Sequence, residues 1–529
     1  MLKGKENQGS FYDADYVCEQ LIPKDSFYRK FRGMVTPLIQ DADLDGMYCD
    51  DNGRPPISPS LLAMAIILQF YRGFSDREME KACMFDIEIK YALGLRLDER
   101  PFDHSSLGDF RQRLLENGKE KEIFDNILGH LIAQGLVKKD EIQRIDATHV
   151  LADLAIPTMV TLVKKGIFAV LKPLSKDKEV YEGLGKAVDL REYSKEKVND
   201  EGPGRMDLEK RKRKLVEVVA DAQQVLEHTK DLKIDKRLKE PIEMLKRILR
   251  ENIEEDEEGH PKERGYKDKP KDILVSPIDP DARYGAKSAT KRFMGYKANI
   301  TESVENNIIT NVKVMPGNAH DATTMVAAVV EQKELGLVPA KVIADAAYGS
   351  TANREKLKAN GTMVVAPIYN KNDRAKGIYP KSMFKYDAEN KLLTCPQGVT
   401  TEAAYWDELH QLHSFHFPMS KCNSCVVQKE CTRDLDRRRT VGISIRHEEM
   451  MAAETYNRSE QYRKDMKLRP AVERKLAELI RYHGMRRARY RGLKKLGLQC
   501  FFTAVAVNIK RWIKLVSGSS PGLAGVATA

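Results

Sequence analysis

The residues best placed to do chemistry are carboxylates that follow short aliphatic runs. Lys341-Val342-Ile343-Ala344-Asp345-Ala346-Ala347-Tyr348-Gly349-Ser350 reads as a short buried strand that stops at a Gly-Ser pair and presents Asp345 at or near its end. Ile142-Gln143-Arg144-Ile145-Asp146-Ala147-Thr148-His149-Val150 has the same design, with aliphatic residues leading into Asp146. An unpaired buried carboxylate is costly, so each Asp either meets a cation or caps the turn after its strand. If the two strands are neighbours in one sheet, the two side chains converge, and oxygen ligands held in that way suit Mg²⁺ or Mn²⁺.

Further carboxylates and a set of thiols lie downstream. Pro470 fits a first helical turn and places Glu473 beside the apolar stripe of Val472, Leu476, Leu479 and Ile480, at the edge of a core where it could join the two Asp residues; Glu478 is the alternative on the same helix. Arg486, Arg487, Arg489, Arg491 and Lys494 follow as a dense basic cluster of the kind that phosphate-backbone binding requires. Cys422-Asn423-Ser424-Cys425 is a CxxC pair, Cys431 lies beyond it, and Cys395 lies upstream before Pro396 and Gly398. Four such thiolates satisfy a tetrahedral Zn²⁺ site; free structural thiols are the other reading. His410, His413 and His416 read as surface or packing residues.

The elements that must position these groups fall into seven segments. Residues 1–138 read as an all-α N-terminal domain, with a capping box at Ser75 and Glu78 and a further cap at Ser105-Ser106. The helix after that cap carries Arg111 and Arg113 and is either a DNA reader of helix-turn-helix type or plain packing. Residues 139–156 hold the first Asp strand. A charged helical insertion over 157–272 follows, with Leu215, Val218, Val219, Ala222 and Leu226 at helical spacing and a mobile linker from Glu254 to Lys271. Residues 273–380 give a strand at Ile273–Pro277, a hairpin, a helix from Asn318, the Asp345 strand, another helix and a last strand, which amounts to a mixed α/β layer with a central sheet. Residues 381–440 form a small Cys-rich insertion, 441–516 are helical and basic, and the Gly/Ser/Ala-rich tail 517–529 reads as disordered.

Length and charge set outer bounds. A chain of 529 residues needs two to four folding units. Its net charge of +11 and pI of about 9.0 favour a polyanionic partner. No apolar run is long enough to span a bilayer and no hydrophobic signal segment stands at the start, so a cytoplasmic location is expected, where clustered cysteines suggest metal before disulfide.

Taken in order, the motifs resemble those of the DDE transposases of bacterial insertion sequences. The resemblance rests on Gly53-Arg54-Pro55-Pro56, Phe74-Ser75-Asp76-Arg77-Glu78, Ile145-Asp146-Ala147-Thr148-His149, Ser276 through Gly285 with Gly295-Tyr296-Lys297, Ala344 through Ser350, the cysteine cluster, and Glu473 with His483 through Gly492. It implies an RNase H-like catalytic fold in which the first Asp ends the first strand, the second ends the fourth, and the Glu lies on a later helix. Carried over, Asp146, Asp345 and Glu473 form the catalytic triad and hold two Mg²⁺ (or Mn²⁺) ions. The activity implied is cleavage and strand transfer at terminal inverted repeats, with double-stranded end and target DNA as partners, a homodimer as the active unit, and association with the nucleoid when bound. Arg469 matches an Arg that related elements place before their Glu; Met466 stands where they have Tyr, and Ile480 or Arg481 where they have Lys. A structure-specific nuclease on the same fold and an inactive DNA-binding protein from a decayed element are the alternatives.

Overall fold

The computed structural model describes residues 12–518 except 14–15, 17, 49–55, 155–157, 195–207, 231, 233–235, 266–267, 289, 369–377, 410 and 433–437. The expected disordered tail beyond 518, the Gly53-Arg54-Pro55 motif and His410 therefore lie outside the described residues.

The first region is helical, as its caps require. Its principal helices are α1 (Phe27–Val35), α2 (Pro59–Arg72), α3 (Asp76–Phe85), α4 (Ile87–Leu93), α5 (His104–Glu116) and α6 (Glu122–Ala133). Ser58 caps α2 with Pro59 in its first turn, and Ser75 and Glu78 close the capping box of α3. The cap of α5 is Asp103, two residues before the expected serines, because its carboxylate accepts from Ser105 N at 2.8 Å.

A mixed sheet follows, built from β1 (Gln143–Leu151), β2 (Arg283–Ala286), β3 (Arg292–Ser303), β4 (Ile309–Pro316), β5 (Lys341–Ile343) and β6 (Met363–Val365). Its main order is β4-β3-β1-β5-β6, with β2 on the edge of β3 beside β4. β3 runs antiparallel to both β1 and β4, while β5 and β6 run parallel to β1. Gly295 lets β3 come close to β1: its φ is +147°, and an added Cβ would meet the Val150 carbonyl oxygen at 2.2 Å.

Between β1 and β2 the insertion packs α7 (Met159–Leu174), α8 (Leu208–His228) and α9 (Lys236–Asn252) around a core of its own that includes Val163, Val218 and Leu245. Part of the expected linker is ordered, since Ile253–Glu255 and Pro261–Glu263 pair as an antiparallel ribbon. Ile273–Pro277 is buried but joins no ladder, so it is a core segment rather than the expected strand. The helix expected from Asn318 starts as a 3₁₀ turn at Asp321 and becomes α10 only at Met325–Glu334; α11 (Thr351–Ala359) separates β5 from β6.

The Cys-rich segment is a second sheet of β7 (Lys385–Asp387), β8 (Leu392–Thr394), β9 (Thr400–Asp407), β10 (Leu412–His416) and β11 (Thr440–Ser444), paired in chain order. Four helices close the chain: α12 (His447–Asn457), α13 (Glu460–Met466), α14 (Ala471–His483) and α15 (Leu493–Gly518). One continuous core joins Phe70 and Phe110 of the first region, Tyr296 and Ile300 of β3, Leu479 of α14 and Phe502 and Trp512 of α15, so the helical region and the last helices bury one face of the sheet together. Asn508 fixes α15 to β4 by accepting from Ile309 N and donating to Ile309 O, both at 2.8 Å. The other face packs Ile145, Val342, Ala344 and Val364 against Met325 and Val329 of α10 and Leu357 of α11.

Candidate active site

Side chains alternate between faces along a strand, so Asp146 shares a face with Arg144, Thr148 and Val150 while Ile145 points to α10. Asp146 does not end its strand, as the resemblance implied, but is the fourth of nine residues and lies opposite Ile300 of β3. On its other side β1 pairs with β5 in parallel, Gln143 to Val342 and Arg144 to Ile343, an offset of 199 (342 − 143). Carried two residues on, that offset sets Asp345 beside Asp146 (146 + 199 = 345). Adjacent strands lie about 4.8 Å apart, so both carboxylates leave the same face as neighbours just where β5 ends.

The third carboxylate reaches them through a guanidinium. Arg469 Nη2 lies 3.5 Å from Asp146 Oδ2 and Arg469 Nη1 lies 3.2 Å from Glu473 Oε1. Glu473 stands in the first turn of α14 with its side chain 62% exposed. Burial pushes the Asp146 carboxyl up from its ordinary 3.8 to about 6; the Ala147 amide, which donates to Oδ1 at 2.8 Å, and Arg469 pull it down, and Asp345 and Glu473 push it up. The three acids are thus close enough to feel one another. Glu478 faces elsewhere: Lys510 lies 2.8 Å and Lys475 3.2 Å from its two oxygens, between α14 and α15.

Two supports for this site are not visible in the sequence. Arg144, on the face of Asp146, makes a buried ion pair with Glu302 at 2.6 Å (side chains 3% and 0% exposed) and donates to the Leu468 carbonyl at 3.1 Å, which fixes the segment carrying Arg469 and Glu473. Beneath the opposite face, Tyr348 is fully buried and its hydroxyl donates to Asn299 Oδ1. Asn299 Nδ2 in turn donates to the Asp321 carbonyl at 2.8 Å, and Lys297 holds the Asp321 carboxylate at 2.7 Å. Tyr348 N donates to Asp345 O at 3.3 Å and Ala347 N to Asp345 Oδ1 at 2.8 Å, so this network steadies the turn that presents Asp345.

The donor set is all oxygen, and it includes a half-buried acid that the Arg469 cation already offsets in part; a hard divalent ion fits such a set. Among the described residues, the only trio of His, Cys, Asp or Glu ligand atoms within 4.8 Å of one another is Glu80, Asp103 and His104. That trio is internally engaged, with His104 Nδ1 3.0 Å from Glu80 and Asp103 capping α5. The carboxylates around Asp146 are set more openly.

Two family models match the chain. The first is Transposase domain (DUF772), over residues 16–113, and the second is Transposase DDE domain, over residues 394–513. Both matches support a DDE-type transposase of insertion sequences. No curated protein and no solved structure matches it. The general activity of the transposase is cleavage and transfer of DNA strands, and DNA is its partner. The matched segments hold Glu473, the four cysteines and the basic loop, while Asp146 and Asp345 lie between them. None of the helices among the described residues is long and apolar enough to cross a membrane.

The basic residues of the transposase divide into inward and outward sets. Arg111 is 6% exposed and bound by two nitrogens to Asp76, at 3.0 and 2.5 Å, so it joins α5 to α3 and takes the packing alternative rather than the DNA-facing one. Arg486 donates to the His149 carbonyl at 2.6 Å, and Arg489 donates to the Phe74 carbonyl at 2.7 Å over the Phe70 ring; both are used in packing. Arg487, Arg491 and Lys494 are exposed, as is Arg113, which lies over Tyr48 at 4.8 Å. The Ser276 to Gly285 motif anchors this loop: Asp279 accepts from Tyr296 OH and from Gly492 N at 3.2 Å, and Asp281 accepts from Leu493 N at 2.9 Å.

Cys395, Cys422, Cys425 and Cys431 are free thiols around one cavity of about 210 Å³. Cys395 and Gly398 close one turn (Gly398 N to Cys395 O, 2.9 Å), and Cys422 and Cys425 close the other (3.2 Å). Burial pushes the Cys431 thiol up; Arg439 pulls it down, and Cys422, Cys395 and Cys425 push it up, so the other three thiols act on Cys431, although no three of the four sulfurs lie within 4.8 Å of one another. Four soft donors, three in two tight turns and Cys431 at the end of a short helix, fit Zn²⁺ in chemistry. His413 packs on Trp406 at 4.8 Å and His416 on Tyr405 at 5.6 Å, away from the thiols.

Proposed function

We propose that Asp146, Asp345 and Glu473 are the catalytic carboxylates and that the transposase cuts and joins the terminal inverted repeats of its own element. The observation that carries this reading is the shared register of Asp146 and Asp345 on one sheet face, with Glu473 tied in through Arg469. The strand order, antiparallel through β4, β3 and β1 and parallel through β5 and β6, supports an RNase H-like core. When bound, two Mg²⁺ or Mn²⁺ ions would supply an activated oxygen nucleophile and a sink for charge on the leaving oxygen. Asp146, Asp345 and Glu473 would be the residues to hold them, with Asp146 the most central of the three in the register. Arg469, once its two carboxylates are otherwise engaged, is free to hold a phosphate oxygen by two nitrogens.

The same reading assigns residues 1–138 and the exposed Arg113, Arg487, Arg491 and Lys494 to the DNA. It assigns 381–440 to a zinc-stabilised module, and, because two ends must be paired, it makes the active unit a homodimer. The test is incubation of the transposase with duplexes carrying the element's end and a supercoiled target in Mg²⁺. Free 3′-hydroxyl ends and joined products are expected. Cutting without joining would favour a nuclease, and no metal-dependent cutting at all would overturn the assignment.

A further inference from the structure

The conspicuous arginine loop is half consumed by packing, yet a second basic surface lies on the helix that carries Glu473. A cleft of about 350 Å³ opens between α14 and α15, lined by Arg474, Lys475, Lys510, Arg511 and Lys514 together with Glu302 and Glu478. Both acids are already paired, Glu302 with Arg144 and Glu478 with Lys475 and Lys510. Arg511 spends only Nε, on the Asn306 carbonyl at 2.7 Å. Arg474 and Lys514 are exposed and have no carboxylate partner among the described residues. Of the five cations, Lys475 and Lys510 are offset by Glu478, and the fold leaves Arg474, Arg511 and Lys514 together in one concavity without a carboxylate among the described residues, at a cost in mutual repulsion that a bound polyanion would remove.

The geometry suits a nucleic acid backbone. Arg474 follows Glu473 directly, and Arg481, also exposed, lies seven positions on and so on nearly the same helix face. Seven residues of helix span about 10 Å, the rise of roughly three nucleotides along one strand. We propose that the cleft between α14 and α15 is a second DNA-phosphate site, which holds the backbone a few nucleotides from the phosphodiester at the carboxylate centre. This rests on the reading of Asp146, Asp345 and Glu473 as that centre.

The test uses the full-length transposase and fluorescence anisotropy over a salt series, with a duplex of the element's own end and an unrelated duplex of equal length. The triple variant Arg474→Ala, Arg511→Ala, Lys514→Ala should lower the slope of log affinity against log salt by about 2 to 3, since each phosphate contact contributes about 0.9. Lys356→Ala, an exposed cation on α11 at the opposite face, should leave the slope unchanged. A loss confined to the end duplex assigns the cleft to transposon-end phosphates, and an equal loss on both assigns it to backbone of any sequence. An unchanged slope on both duplexes overturns the proposal while leaving the carboxylate reading intact. Failure of the wild-type protein to bind either duplex overturns both. If the triple variant does not fold, Lys514→Glu alone, at an exposed position, carries the same test.

Discussion

The transposase gathers two sets of metal-type ligands, and the two are assembled in opposite ways. The thiols all come from positions 395 to 431, three from two tight turns and Cys431 from the end of a short helix, over a small core of Phe384, Leu393, Phe415, Phe417, Val441 and Ile443. The carboxylates come from positions 146, 345 and 473, on β1, just after β5 and on α14, and need the whole sheet and a continuous core to bring them together. The thiol cluster is made locally and can be lost locally. The carboxylate cluster carries a cost in desolvation and repulsion at Asp146, and Arg469 offsets that cost only in part. On the proposed reading the first is a structural site, which its own ligands would close, and the second a reacting site, which must leave room for substrate.

The comparison breaks most sharply by substitution. Asp146→Asn and Asp345→Asn should each take strand cleavage below detection in a gel assay and leave end-DNA binding in place; measurable cleavage by either variant would remove that residue from the centre. Chelation, or Cys425→Ser, should expose the second sheet to limited proteolysis and release one zinc per chain by metal analysis, because structural zinc in small modules contributes on the order of 10 kcal/mol. The central sheet should remain protected. Proteolysis of both sheets together would show that the two centres are not independent.

Acidity separates the centres further. The Asp146 carboxyl is held at about 6 in the fold, against about 3.9 for an unfolded Asp. A raised acid favours folding when protonated, so metal-free stability from this group is fullest below pH 4 and is lost as the pH rises to about 6. At 1.36 kcal/mol per tenfold change the loss is about 3 kcal/mol. Asp146→Asn should therefore raise the denaturation midpoint at pH 8 without divalent ions and give no advantage near pH 4; no gain at pH 8 would mean that Asp146 is not desolvated as described. Cleavage, which needs the ionised form, should fall below pH 6.

Smaller effects sharpen the picture. Arg111→Ala should cost about 2 to 3 kcal/mol of stability, at the lower end for a buried pair because the Asp76 side chain is 32% exposed. Its DNA affinity, measured well below the melting temperature, should match wild type; a marked loss of affinity would put Arg111 back on the DNA. Glu478→Gln should change stability by less than about 1 kcal/mol and leave cleavage within about twofold, whereas Glu473→Gln should abolish it. The reverse outcome would exchange the two glutamates.

Much of this was legible in the chain. Val342 and Ile343 before Asp345, Ile145 before Asp146 and the alternation of Gly295 through Thr301 mark strands because their side chains fit a pleated, half-buried surface. Ser75 with Glu78 and Cys422 with Cys425 are local devices whose partners lie within a turn. What failed was long-range. Nothing in Arg111, Arg486 or Arg489 distinguishes a cation bound to Asp76 or to a distant carbonyl from one facing solvent. The apolar Ile273–Val275 run carries strand-like residues, yet it is buried as a core segment beside the insertion.

The sequence by itself determined which residues could serve: the acids at the ends of aliphatic runs, the paired turns of cysteine, the caps and the basic excess, all of which depend on neighbours a few positions away. Only the tertiary structure decided that an offset of 199 sets Asp345 beside Asp146, that Arg144 and Arg469 bring Glu473 to them, and which cations remain free. Register between distant strands and competition for buried partners are properties of the packed chain, because each residue's role there depends on groups hundreds of positions away.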